Sequence, residues 1–439
     1  MIDFAPVASK IRPMNSCALP SSLLCETNLR SIAIRVAILI FLAGKIVASS
    51  FGQTAAPVLL DLQTLPKPAE VTTPAKTKAP AGTAELTNGK FGKALQLTFI
   101  ESTGAQFFTA RINPPDNVDQ SEGFSFWVKG DGSKNCGGLE FIDGEDFKLR
   151  YGYCFPIQST NWTKLTVAWS DLIPELSGPL LGTKTGFPPS KFRNLWLGKW
   201  WYWREHPAVS FSIDHIVLES KIAPDKTDYT PKQPGLARVL AKLKARQPVT
   251  IVTMGDSLSD KRHWANRPKL WSEEVVKKLK ENYGGEVTLV NPAIGGTTLS
   301  QNTILIPRWL QDAPAPDLVT IWFGFNDWDD NIRGPLFKEY LRLAVNRVRR
   351  ATKGQADILL LTTCPSYERW ETMQELAVAV QEVAQEQKTG LVDIAAEFHK
   401  VSAEKALQQN YFARDKAHLG AQGHAVVHDA VLRALTVKE

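Results

Sequence analysis

Four short stretches of this chain combine residue types that can act together on an acyl group. Gly255-Asp256-Ser257-Leu258-Ser259 offers a hydroxyl, and Asn291-Pro-Ala-Ile-Gly295-Gly296-Thr297 offers a backbone free of side chains. Gly324-Phe325-Asn326-Asp327 supplies a side-chain amide, and Asp415-Lys416-Ala417-His418 sets a carboxylate three residues before an imidazole. A serine hydroxyl is a poor nucleophile until a base takes its proton. His418 is the candidate base, with Asp415 reaching back across the turn to orient the ring and stabilise its protonated form. Backbone N–H groups of Ser257 and Gly296, with the Asn326 amide, can hold the oxyanion that develops on the substrate. Glycine suits that place because a side chain would hinder the approach of the backbone.

Such groups are useful only if the fold brings them together. From about residue 236, buried strands alternate with helical patterns. The strands are Thr250-Ile-Val-Thr-Met, Val287-Thr-Leu-Val, Leu318-Val-Thr-Ile-Trp-Phe, a run over 358–362 and Leu391-Val-Asp-Ile. Helical periodicity covers 267–282, 335–352, 369–388 and about 420–435. This alternation implies βαβ crossovers and a parallel sheet covered on both faces. The fold class is therefore α/β, a three-layer flavodoxin-like domain over 236–439. In strand order 2-1-3-4-5 the first three strands are neighbours, and ligands bind beyond their carboxyl ends. The serine, glycine and asparagine loops follow those three strands and so converge.

The four blocks resemble those of the SGNH hydrolases, or GDSL-type esterases, over roughly residues 248–436. GDSL stands intact at Gly255–Leu258, the glycine block places the oxyanion glycine at Gly296, GxND stands at Gly324–Asp327 and DxxH at Asp415–His418. Ala293 departs from the family, where glycine is common. The resemblance implies a serine hydrolase acting on ester bonds without a cofactor, and leaves the substrate open among esters, thioesters, lysophospholipids and acylated polysaccharides. Asp256 reads as a structural hydrogen-bonder and Asp327 as a stabiliser of its own loop. His424 and His428 read as surface or packing residues. His263 follows the nucleophile loop and is a candidate for the pocket lining, while Trp264 and Trp328 could wall it.

The region 57–220 reads differently. Segments such as Phe124-Ser-Phe-Trp-Val and Val209-Ser-Phe-Ser-Ile alternate between turn clusters, which indicates an all-β sandwich or jelly roll. Residues 221–235, with three prolines and several charges, read as a linker. Seven of the 13 tryptophans precede residue 204, with Trp200, Trp201 and Trp203 crowded into one loop. They are candidates for stacking on sugar faces or for packing between domains. The region loosely resembles galactose-binding-like and carbohydrate-binding modules. Cys136 and Cys154 flank an expected turn at Asp143-Gly144 and could bridge neighbouring strands.

Residues 1–53 read as an export segment: Arg30 and Arg35, a short apolar run over 36–44, then Ala48-Ser49-Ser50. This implies a secreted or periplasmic protein, with an uncleaved N-terminal anchor as the alternative. With 51 Lys and Arg against 45 Asp and Glu, the excess of +6 is spread thinly, and no basic stripe argues for nucleic acid. No Cys/His grouping has metal-ligand spacing. The expectation is an exported esterase removing O-acyl, chiefly O-acetyl, groups from carbohydrate. The alternatives are a polysaccharide O-acetyltransferase, a lipid or aryl esterase of the lysophospholipase kind, and a non-catalytic carbohydrate-binding protein.

Overall fold

A computed structural model describes residues 56–65, 82–101, 106–144, 149–181, 187–199 and 207–436, apart from positions 224, 226, 234 and 403. The expected export segment and the tryptophan trio Trp200, Trp201 and Trp203 lie outside the described residues. From Ala55 onward the chain is one compact unit holding three sheets.

Two of these sheets are antiparallel. The strands in chain order are β1 (Val58–Leu60), β2 (Gly82–Asn88), β3 (Lys93–Phe99), β4 (Gln106–Arg111), β5 (Gly123–Gly130) and β6 (Cys136–Asp143). They continue with β7 (Arg150–Pro156), β8 (Thr163–Ala168), β9 (Ile173–Pro174), β10 (Phe192–Lys199) and β11 (Val209–Glu219). One sheet runs β2-β3-β11-β5-β8 with β1 added against β11, and the other runs β4-β10-β6-β7-β9. The alternation of the strands turns Leu95, Leu97, Phe124, Phe126 and Phe211 of the first sheet against Phe108, Leu139, Phe141, Phe155 and Leu195 of the second. Phe124 meets Phe141 edge-on at 5.1 Å between centroids, and Phe126 meets Phe155 at 5.4 Å.

The third sheet is wholly parallel, in the order β13-β12-β14-β15-β16, with β12 (Val249–Gly255), β13 (Val287–Val290), β14 (Leu318–Trp322), β15 (Asp357–Leu361) and β16 (Gly390–Val392). The helices that cover it are α1 (Ala237–Lys244), α2 (Trp271–Tyr283), α3 (Leu299–Ile304), α4 (Gly334–Ala351), α5 (Gln374–Gln387), α6 (Ile394–Val401) and α7 (Ala421–Ala434). Because strand side chains alternate, Val249 and Ile251 of β12 join the core under α1, α2, α6 and α7. Val252 and Met254 join the core on the opposite face, under α3, α4 and α5. This three-layer arrangement leaves the loops after β12, β13 and β14 side by side at one edge.

The sandwich touches that edge from below. Ile173 of β9, with Cys136 and Cys154, packs in one buried cluster with Ile294, Ile304 and Leu305. Ile294 immediately precedes Gly295-Gly296. Cys136 and Cys154 are free thiols, which corrects the disulfide expectation. In the β6–β7 register Cys136 lies opposite Pro156 and Cys154 opposite Gly138. The cysteines are therefore diagonal neighbours, not a directly opposed pair. A hydrogen bond with Cys136, together with burial, pushes the Cys154 thiol well above its usual range.

Candidate active site

Ser257 sits in the turn that leaves β12. His418 Nε2 lies 2.9 Å from Ser257 Oγ, and His418 Nδ1 lies 2.7 Å from Asp415 Oδ2. The other oxygen of Asp415 accepts from the backbone N–H groups of Ala417 and His418 at 3.2 and 3.1 Å. This tight turn places Lys416 at φ 60° and points the carboxylate at the ring. Partial burial works to raise the Asp415 carboxyl, but the His418 ring and the two N–H donors outweigh it and hold the group below the ordinary carboxylate range. Chains of this kind can move a proton from hydroxyl to imidazole while the carboxylate stabilises the resulting cation.

Gly296 and Asn326 reach the same place. Gly296 has φ 80°, a conformation that favours glycine. Gly324 has φ 144°, and a Cβ there would lie 2.3 Å from the Thr363 side chain. One N–H of the Asn326 amide donates to Thr297 O at 3.0 Å, which fixes the side chain and leaves its second N–H for a ligand. Asp327 is fully buried, and its Oδ1 accepts from Leu299 N–H at 3.0 Å, tying the asparagine loop to the first turn of α3. Burial pushes Asp327 up to about 8 and Asp256 up to about 7. Asp256 accepts from Leu258 N–H at 2.9 Å within the nucleophile turn.

Three side chains that local pattern did not single out hold these loops together. Asp260 accepts from Gly295 N–H at 3.0 Å and from the Arg262 guanidinium at 2.9 Å, and Arg262 also donates to Ala293 O at 3.2 Å. The buried amide of Asn266 donates to Ser257 O at 2.7 Å and Asp260 O at 2.8 Å. His424 Nε2 lies 3.0 Å from Asn266 Oδ1, and since that oxygen can only accept, the ring nitrogen donates. Burial lowers His424 to about 4 and keeps it neutral. The signal for Asp260 was its position three residues after Ser257. Asn266 carried none, because two of its partners are backbone carbonyls of its own loop and the third, His424, is brought in only by α7.

Ser257, His418, Gly296 and Asn326 line a cavity of about 220 Å³ whose walls also include Leu258, Gly295, Phe325 and Ala417. His263 also lines it, stacked on His418 with centroids 4.0 Å apart and planes 27° from parallel. Trp264 stands edge-on to His418 at 6.4 Å and is 38% exposed. Trp328 lies under the Arg333 guanidinium at 3.9 Å, and neither tryptophan is among the cavity walls. His428 is buried against α7's own Asp429. Among the described residues, no group of three or more His, Cys, Asp or Glu side chains could hold a metal ion, and no helix is long and apolar enough to cross a membrane.

Residues 253–426 match the model of the GDSL-like lipase/acylhydrolase family, so the C-terminal part of the chain is a GDSL-like acylhydrolase domain, an ester hydrolase of the SGNH type. No curated protein sequence matches the chain. Among solved structures, the chain is similar to a variant of an acetyl xylan esterase from Geobacillus stearothermophilus, at 26% identity and TM-score 0.36 over 44% of this chain and 97% of that one. It is similar to a lipase/acylhydrolase from Enterococcus faecalis at 21% identity and TM-score 0.36, over 42% and 94% of the two chains. A two-domain esterase active on acetylated mannans is matched at 21% identity and TM-score 0.38, over 46% of this chain and 52% of that one.

Proposed function

We propose that this chain, whose residues 253–426 form a GDSL-like lipase/acylhydrolase domain, is an exported serine esterase that removes short O-acyl groups, chiefly O-acetyl, from carbohydrate. The observation that carries the reading is the continuous hydrogen-bond chain Ser257–His418–Asp415 at the mouth of the small cavity. Ser257 Oγ attacks the ester carbonyl carbon while His418 Nε2 takes the hydroxyl proton, and Asp415 stabilises the imidazolium that results. The carbonyl oxygen becomes an oxyanion held by the N–H groups of Ser257 and Gly296 and by the second N–H of Asn326. The C–O bond to the alcohol then breaks as His418 protonates the leaving oxygen. Water, deprotonated by the same ring, attacks the acyl-serine, and the carboxylic acid leaves as Ser257 regains its proton.

The size of the cavity favours a short acyl group. At about 220 Å³ it falls below the roughly 300–1,000 Å³ of drug-sized ligand sites, and a long acyl chain would have to lie outside it. The open aromatic rim of His263 and Trp264 suits a sugar as the alcohol partner. Export is supported by the basic, apolar and small-residue sequence before residue 53, and the β-sandwich is the candidate carbohydrate-binding module.

The test is hydrolysis of aryl esters of increasing acyl length by the full chain and by Ser257→Ala. Loss of at least about a thousandfold in kcat for the alanine variant is expected, with acetate preferred over longer chains. Undiminished hydrolysis by Ser257→Ala overturns the triad, and a preference for long acyl chains overturns the acetyl reading.

A further inference from the structure

We propose that the alcohol side of the substrate docks on Trp264 and Arg414 beside His418, and that this subsite selects an acylated glycan carrying negative charge. The inference rests on the triad reading above, because it begins from the direction in which His418 must deliver its proton. The ring nitrogen that faces Ser257 protonates the departing sugar oxygen, so the sugar lies against whatever surrounds that end of the imidazole. One face of the ring is already covered by His263, stacked at 4.0 Å. The edge is bordered by Trp264, 38% exposed and 6.4 Å away.

Trp264 is not bare. The guanidinium of Arg414 lies over its ring at 4.7 Å, within cation–π range. The contact orders a side chain that would otherwise sample many rotamers, and the exposed guanidinium keeps N–H groups for a ligand. A planar fork of this kind takes carboxylate or phosphate oxygens two at a time. Arg414 is exposed, and no carboxylate pairs with it among the described residues. Lys416, on the other side of Asp415, lies over Tyr367 at 5.1 Å and has no carboxylate partner there either.

The local charge points the same way. The two segments that flank His418, 260–269 and 413–418, carry Lys261, Arg262, Arg267, Lys269, Arg414 and Lys416 against only two carboxylates. Both carboxylates are committed: Asp260 to Arg262 and Gly295, and Asp415 to His418. With Arg262 paired to Asp260, these two segments still keep a net positive charge, and a field of that sign raises the local concentration of an anionic polymer.

The experiment compares kcat/KM of the full chain and of Arg414→Gln on three O-acetylated polymers: a neutral glucomannan, a uronate-containing polysaccharide and a phosphate-bearing polysaccharide. For the native chain, the preference for an anionic polymer over the neutral one should fall severalfold as sodium chloride rises from about 20 to 200 mM, as expected when screening shortens to about a Debye length of 7–8 Å. Arg414→Gln should lower that preference about tenfold and remove most of its salt dependence. Whichever anionic polymer shows the effect identifies carboxylate or phosphate as the charge. A preference that Arg414→Gln leaves unchanged on both anionic polymers overturns the proposal, as does an equal loss on all three. Failure of the triad reading shows itself separately, as aryl acetate hydrolysis surviving Ser257→Ala.

Discussion

The Tyr340 hydroxyl, on the long helix α4, accepts from Gly178 N–H at 3.0 Å and donates to Gly178 O at 2.7 Å. The two residues are 162 positions apart, and the pair fastens the segment after β9 onto the α/β layers. Alongside it, Glu175 joins Arg150 of β7 at 2.9 Å to Gln301 of α3 at 3.3 Å. Gln301 in turn forms the capping box of α3 with Thr298, next to the carbonyl that holds Asn326. The sandwich thus braces the side of the site that would carry the oxyanion.

Tyr340→Phe removes one oxygen and leaves both polar groups of Gly178 buried without their partner. Such a loss costs about 1–3 kcal/mol. Calorimetry should show a midpoint lowered by a few degrees. A midpoint equal to that of the native chain would mean that this fastening contributes nothing to stability.

Asp260 holds the glycine loop by one N–H bond and one ion pair, both partly or wholly buried. Asp260→Ala frees Gly295 and strands the Arg262 charge, so Gly296 N–H loses its aim. The expected result is a fall in kcat of about 10–100-fold, short of the roughly 10²–10³ for deleting an oxyanion donor outright. KM should change by less than kcat. Steady-state kinetics on an aryl acetate measures both, and an unaltered kcat would remove Asp260 from any positioning role.

Burial raises Asp256 to about 7 from an ordinary value of 3.8. Between about pH 4 and pH 7 the folded chain therefore keeps a proton that the unfolded chain has released. Raising the pH through this window favours the unfolded state, and the group's contribution to stability is lost as pH passes the folded value. Asp256→Asn retains an acceptor for Leu258 N–H and cannot ionise. Urea unfolding at pH 5 and pH 8 should show the variant gaining on the native chain at the higher pH, by at most about 3 kcal/mol, since about two units of this window lie between pH 5 and the folded value at 1.4 kcal/mol per unit. A constant difference across the window would mean that Asp256 ionises in the fold as freely as in water.

Cys136 and Cys154 should behave as two inert thiols. Alkylation of the native chain should leave both unmodified, and alkylation in denaturant should recover both as modified peptides. A linked Cys136–Cys154 peptide in the unreduced digest would show that the strands shift from the register seen here.

Much of the α/β architecture was legible from local pattern. Buried apolar runs of four to six residues, spaced by helical periodicity, specify strands and helices through contacts within one or two turns of chain. The strand-end rule then converts the positions of Ser257, Gly296 and Asn326 into neighbours. The turn Asp415–His418 is equally local, since a three-residue span sets where the carboxylate can reach. The alternating segments of 57–220 likewise announced two antiparallel sheets.

What only the tertiary structure decided depends on pairs far apart in the chain. The stack of His263 on His418 joins two loops about 150 residues apart, and Asn266 finds His424 across a similar distance. Neither pairing is written in a local pattern, although Asn266 also holds carbonyls of its own loop. The β6–β7 register set Cys136 and Cys154 on a diagonal, although their spacing alone suited a bridge. The cation on Trp264 became visible only when the turn before α7 closed over the loop after β12. Periodicity reports which face of an element is buried, whereas the partner across that face is chosen by packing that no single stretch of sequence contains.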